Sequence, residues 1–197
     1  MKKRKIPIQT RSVAGHFYSH KNKRLVQFES QLEKKCFLLL EFDDNVVSYI
    51  EQPLKIDKYF PDILVKQYAN DKLDVLIEVK YFKEIENPTD KLKEKFKKLE
   101  EYCLTHNLKF EIFTERKIEE PYFSNISLIY NYSEVKVPTK FKETILDQFD
   151  KSPEKRFKDL LTEKIQPSYI YALIFQKDLE INLYKKISKE SIIRRNL

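Results

Sequence analysis

At 197 residues the chain has room for one large domain, or for one of ordinary size followed by a small one. Hydrophobic residues make up 41% and aromatic residues 13%, enough for a packed core, and the charged fraction of 35% is high without being that of a disordered chain. Lysine and arginine (38) outnumber aspartate and glutamate (31), a net charge of +7 that suits a polyanionic partner.

No apolar stretch approaches membrane-spanning length; CFLLL and YIYALIF are short pieces of buried elements. The opening MKKRK leads into IPIQTRSV and not into an apolar run, so it reads as neither signal peptide nor anchor, and a cytoplasmic protein is expected. Cys36 and Cys103 lie in apolar-periodic segments with no Cys-x-x-Cys or Cys/His spacing, which predicts reduced core thiols.

Residues 11–28 contain two extended runs, GHFYSH and RLVQF, joined by the polar KNK, and predict a basic hairpin. His16 and His20 are four apart, but the aromatic-rich alternation makes them two residues on one strand face and not a helical metal pair. His20, Lys21, Lys23 and Arg24 of this hairpin are candidate DNA contacts. Residues 29–41 (ESQLEKKCFLLLE) set Leu32, Cys36, Leu39 and Leu40 at helical spacing and stop at Asp43-Asp44-Asn45. Glu33 follows Ser30 by three residues, a spacing that favours a capping box over a third active-site carboxylate. A short strand is expected at 46–50, broken by Gln52-Pro53, with an extended path resuming at 54–56.

The stretch 59–81, YFPDILVKQYANDKLDVLIEVKY, carries the chemistry. Asp62 stands near the start of one strand-like run, and Glu78 and Lys80 stand on the next, two apart and therefore on one face. The polar segment 66–72 holds the turn-forming pair Asn70-Asp71, so the runs fold back as neighbours and bring Asp62 beside Glu78. Two carboxylates and a lysine then converge, the grouping that a divalent ion needs to bind a phosphodiester. The same three side chains also fit an exposed cross-strand salt bridge.

Asn87 as N-cap and Pro88 as first helical residue predict a helix running to about residue 105, with Leu92, Phe96, Leu99 and Cys103 as its buried stripe. Lys91, Lys93, Lys95, Lys97 and Lys98 fall on its other face, by default a solvated one. Residues 109–114 alternate like a further strand, giving one α/β layer structure. Residues 134–140 (EVKVPTK) read as a linker, which sets the domains at 1–134 and 135–197. Beyond it, 141–149, 153–163 and 167–176 predict three short helices, followed by strands at 179–184 and 191–195 joined by the basic KKISKE. That order outlines a winged helix.

Through RSVAGHFYSHKNKR, SQLEKKCFLLLEFD, VVSYIEQPL, YFPDILV, LIEVK and FEIFTERKI, and more loosely LEINLYKK, the chain resembles the TnsA family, the endonuclease subunit of heteromeric transposases. The resemblance implies a mixed-sheet, restriction-endonuclease-like nuclease domain followed by a winged-helix-like domain. It implies a DNA endonuclease that cuts double-stranded DNA at the 5′ ends of a transposon. A TnsB-like DDE transposase would act on the 3′ ends, with a TnsC-like ATPase regulator as a further partner. The family's catalytic residues fall on Glu33, Asp62, Glu78 and Lys80, which reverses the preference for Glu33 as a cap alone.

The chemistry follows from the residue types. Magnesium takes oxygen ligands, so Asp62, Glu78 and the Val79 carbonyl could hold one ion and Glu33 could help a second, with Mn2+ able to substitute. Clustered carboxylates repel one another, which predicts an empty site avid for metal. Lys80 can orient the attacking water and offset charge growing on the phosphate, and hydrolysis leaves a 3′-hydroxyl and a 5′-phosphate. Two other readings stand beside this one: a stand-alone restriction or phage-type nuclease, and a catalytically silent module bridging DNA and a partner.

Overall fold

The computed structural model describes residues 13–68, 73–150 and 152–196. The chain forms two compact units, Met1–Ile118 and Glu119–Leu197. They part upstream of the 134/135 boundary expected from the EVKVPTK segment.

In the first unit, β1 (Gly15–Ser19) and β2 (Arg24–Phe28) form the expected antiparallel hairpin. It is pinned by one carboxylate of the following helix, α1 (Gln31–Phe42). Glu41 accepts from the Ser19 hydroxyl (2.6 Å), the Tyr49 hydroxyl (2.5 Å) and the amides of His20 (3.1 Å) and Lys21 (3.3 Å). A part-buried charge satisfied this fully fixes geometry as well as adding stability. Phe37 of α1 stacks on Tyr49 at 5.3 Å between ring centroids, and both rings are fully buried.

The main sheet comprises β3 (Val46–Glu51), β4 (Ile63–Gln67), β5 (Val75–Val79) and β6 (Lys109–Phe113), in that spatial order. The first three strands are antiparallel, and β6 joins β5 in parallel. A parallel neighbour requires a crossover, which α3 (Asp90–Thr105) supplies after the short α2 (Phe82–Glu86). Ile56, Leu76, Leu99 and Cys103 form the buried cluster beneath α3. The predicted stripe is thus fully buried at Leu99 and Cys103, while Leu92 and Phe96 are half-buried. The cap differs from expectation: Thr89 receives the Leu92 amide on its hydroxyl (3.3 Å), and Asn87 instead ends α2. The Asn70-Asp71 turn lies outside the described residues. The antiparallel pairing it was expected to produce is seen in Ile63 opposite Ile77.

The second unit holds α4 (Tyr122–Tyr130), α5 (Thr139–Leu146), β7 (Glu154–Arg156), α6 (Pro167–Phe175), β8 (Leu179–Ile181) and β9 (Ile192–Arg195). A small sheet runs in the order β7-β9-β8, antiparallel throughout. The helix expected at 153–163 is replaced by β7 and a 3-10 turn at Phe157–Leu160. Its backbone pairs with β9, from near the end of the chain, a partner that local periodicity cannot reveal. Helix α4 was not anticipated; it packs on α6 through the edge-on rings of Tyr130 and Phe175. Both cysteines are free and buried, and burial raises each thiol's pKa, that of Cys103 to about 11. No helix among the described residues is long and apolar enough to cross a membrane.

Candidate active site

Strand β5 is buried along its whole length, and Glu78 shares a face with Leu76, which belongs to the cluster beneath α3. The Glu78 carboxylate is therefore carried into the layer between sheet and helix, with no solvent exposure. Continuing the Ile63–Ile77 register by one residue sets Asp62 opposite Glu78. Two bonds hold Asp62 there. Its Oδ2 accepts from the Val79 amide at 2.7 Å, and its carbonyl accepts from the Gln52 amide at 2.8 Å.

Lys80 follows the strand, its amide bonded to the Phe113 carbonyl of β6 (3.0 Å). Its ammonium lies 2.7 Å from Glu78 Oε1, 2.8 Å from the Val79 carbonyl and 3.7 Å from Asp62 Oδ2. A second lysine, Lys95, reaches the same Glu78 Oε1 from α3 and lies 3.5 Å from the Phe60 carbonyl. Glu78 Oε2 is buried without a hydrogen-bond partner.

Glu33 makes the cap that its spacing predicted. Its amide donates to the Ser30 hydroxyl (3.1 Å), while its own carboxylate accepts from the Glu29 amide (2.7 Å) and from that hydroxyl (3.0 Å). The cap does not isolate it, because the charge of Lys80 acts on Glu33 and the charge of Glu33 acts on Asp62.

The electrostatics follow from this crowding. Burial, then the neighbouring Glu78 charge, pushes the Asp62 carboxyl up to about 7 against the opposing pull of Lys80 and the Val79 amide. Burial also raises Glu33, with the Glu29 amide and Ser30 hydroxyl pulling the other way. Burial works against the Lys80 ammonium, but Asp62 and Glu78 outweigh it and hold its pKa above the ordinary value. The carboxylates are thus not left facing one another, as the expectation of a metal-avid empty site assumed; two ammonium groups already meet their charge. Among the described residues no group of three or more His, Cys, Asp or Glu side chains is gathered to hold a metal ion. The oxygens around Lys80 nevertheless fit one. Asp62, Glu78 and the Val79 carbonyl are hard donors converging on a single cation, and the unpartnered Glu78 Oε2 is a further donor in reserve.

Of the four hairpin candidates, Lys21 and Arg24 are tied to the chain itself. The Lys21 ammonium is bonded to the carbonyls of Asp43 (2.8 Å) and Val46 (2.5 Å), and the Arg24 guanidinium makes a two-pronged pair with Glu51 (2.7 and 2.5 Å). The His20 ring packs edge-on against Tyr18, and Lys23 is exposed at a turn position with φ 53°. Lys95 is the residue that sequence reasoning missed. Its signal was its place one helical turn before Leu99, on the edge of the buried stripe and not on the solvated face.

A mixed sheet that sets an aspartate opposite a Glu-x-Lys strand end, with a helix crossing behind, makes this unit an α/β domain whose architecture is consistent with a nuclease. Residues 26–115 match the family described as TnsA-like endonuclease N terminal. That segment is similar to the N-terminal endonuclease domain of the TnsA family, the family that the motifs of the sequence resemble. No curated protein matches the chain.

Proposed function

We propose that the protein is a Mg2+-dependent DNA endonuclease that cuts the 5′ ends of a transposon during cut-and-paste transposition. The observation that carries this reading is the convergence of Asp62, Glu78 and Val79 oxygens on the Lys80 ammonium, inside the segment that matches the endonuclease family. Asp62, Glu78 and the Val79 carbonyl would hold the ion, and Glu33 would contribute from the end of α1. The bound ion supplies Lewis-acid stabilisation of the phosphate and a water acidic enough to attack it. The chain's own groups do the rest. Lys80 moves off the carboxylates to orient the attacking water and to offset charge on the phosphate, and the Val79 amide keeps Asp62 aimed. The match of residues 26–115 to that family supports work on DNA alongside other transposition proteins; we assign those partners as a TnsB-like transposase and a TnsC-like ATPase regulator.

The second unit supports a docking role within this reading. Its order of helix, strand, helix and hairpin, with the sheet order β7-β9-β8, is compatible with a winged helix. Yet α6, the helix that would enter a DNA groove, carries no lysine or arginine. Its Tyr169 stacks on Phe141, and its Tyr171 packs against Tyr132 and Phe157.

Purified protein incubated with transposon-end DNA and the two partners is expected to cleave in Mg2+, to stop in chelator, and to leave 3′-hydroxyl and 5′-phosphate ends. Cleavage indifferent to chelator would overturn the reading, and unaided cutting of plain plasmid would move it to a stand-alone nuclease. The silent-module reading draws on the absence of a three-acid cluster among the described residues; it predicts no cleavage in any combination. The two roles of Glu33 separate by mutation. Ser30→Ala removes the cap hydroxyl and its bond to the Glu33 carboxylate but keeps the carboxylate and its bond from the Glu29 amide, and is expected to cost about 1 kcal/mol of stability with cleavage retained, whereas Glu33→Gln is expected to lower the cleavage rate at least about 100-fold. Equal cleavage by the two variants would leave Glu33 a cap alone.

A further inference from the structure

Lys95 differs from its neighbours on α3. Its side chain is 16% exposed, against 62% for Lys93 and 79% for Lys97. A lysine buried to this extent needs a partner, and it has one in the fully buried Glu78. The result is that two ammonium groups, Lys80 and Lys95, stand against Asp62 and Glu78 where an incoming cation would sit. The two ammonium groups are not equivalent. Lys80 touches all three donor groups and must withdraw before an ion can take its place. Lys95 touches Glu78 and approaches the Phe60 carbonyl, so it can remain on Oε1 while Oε2 is offered to the ion.

We propose that Lys95 is a positioning residue of the nuclease centre, an internal counter-ion that with Lys80 keeps the divalent-ion position neutralised until DNA arrives; this rests on reading Asp62, Glu78 and Val79 as the metal donors. Like charge opposes the incoming ion, so the free protein holds divalent ions weakly. A DNA phosphate gives the Lys80 ammonium another partner, releases the donors and adds a negative charge beside the ion. Metal and DNA therefore bind with positive coupling, each tightening the other by the same factor. Lys95 stays behind, holding Glu78 in place by a charge on α3. The device confines a reactive centre to the moment when its substrate is present.

The test is titration of the full chain with Mn2+ in the absence of DNA, following free Mn2+ by its electron paramagnetic resonance signal. Lys95→Gln keeps a donor for Oε1 but not the charge, and is expected to bind Mn2+ about tenfold tighter than wild type. Lys95→Met is expected to do the same, and Lys95→Arg to bind within about twofold of wild type, as a charge effect demands. Duplex DNA is expected to tighten Mn2+ binding by a similar factor in wild type and in Lys95→Gln, because the phosphate draws off Lys80 while Lys95 stays in place. Thermal melts in chelator verify that each variant is folded, and the two neutral variants give independent routes to the result. If Asp62→Asn weakens Mn2+ binding while the neutral Lys95 variants leave it unchanged or weaker, the proposal for Lys95 is overturned. If wild type and Asp62→Asn bind Mn2+ alike, the metal-donor reading beneath it fails instead.

Discussion

Asp62→Asn and Lys80→Met are each expected to lower cleavage of transposon-end DNA by at least about 100- to 1000-fold while leaving a folded protein. The two substitutions act on different parts of one arrangement. Asparagine keeps an oxygen to accept the Val79 amide that now bonds Asp62 at 2.7 Å, so the strand pairing survives, but the charge that would hold a divalent ion is lost. Methionine at position 80 keeps the aliphatic stem and removes an ammonium that touches Asp62, Glu78 and the Val79 carbonyl together. Glu78 retains Lys95 as its counter-ion, which is why the fold survives this change as well. Rates measured in the reconstituted reaction, with circular dichroism as the control for folding, decide the matter. A near-wild-type rate for either variant would remove these residues from catalysis.

The same Asp62→Asn substitution is expected to stabilise the metal-free protein at neutral pH. The Asp62 carboxyl is raised to about 7, first by burial and then by the charge of Glu78, from an ordinary value near 4 in the unfolded chain. Between those values the folded state binds more protons than the unfolded state, so stability falls as pH rises through the window. The cost is absent below about pH 4 and complete above about pH 7. The side chain is 20% exposed, so the penalty relieved by asparagine is on the order of 2 kcal/mol and not the full figure that the shift implies. Chemical denaturation in chelator across this range measures it: the stability gap between variant and wild type is expected to open as pH rises. A gap independent of pH, or one that closes, would mean that the Asp62 charge is not held under strain. A gap that opens in this way would mark a carboxylate kept at a cost in stability, as sites selected for activity are.

Much of the first unit was legible because its signals are local. The helix over 29–41, the strands at 46–50 and 109–114 and the hairpin over 11–28 each announce themselves by apolar period and bounding turns. The pairing of Asp62 with Glu78 was legible for the same reason, since two neighbouring runs joined by a polar segment have few ways to fold back. At the start of α1, spacing exposed only the local bonds of a residue. Ser30 and Glu33 form the cap that their separation announces, and nothing in that separation shows that the helix end lies within electrostatic reach of Lys80 and Asp62. The second unit was less legible. Residues 153–163 carry proline and helix-forming residues, and the preference of so short a segment yields to backbone pairing with β9.

The sequence by itself determined the sheet-forming and helix-forming segments, the acid pair across two strands, and, through the order of its motifs, the resemblance to TnsA-like endonucleases that residues 26–115 share. Only the tertiary structure decided which charges answer which. It placed Lys95 on Glu78 and not in solvent, and it engaged Lys21 and Arg24 in ties within the first unit that the composition of a basic hairpin does not suggest. The physical reason is one of range. Side-chain periodicity is set by the backbone a few residues at a time, whereas the partner of a buried charge depends on which distant elements pack against it and on how little water they leave.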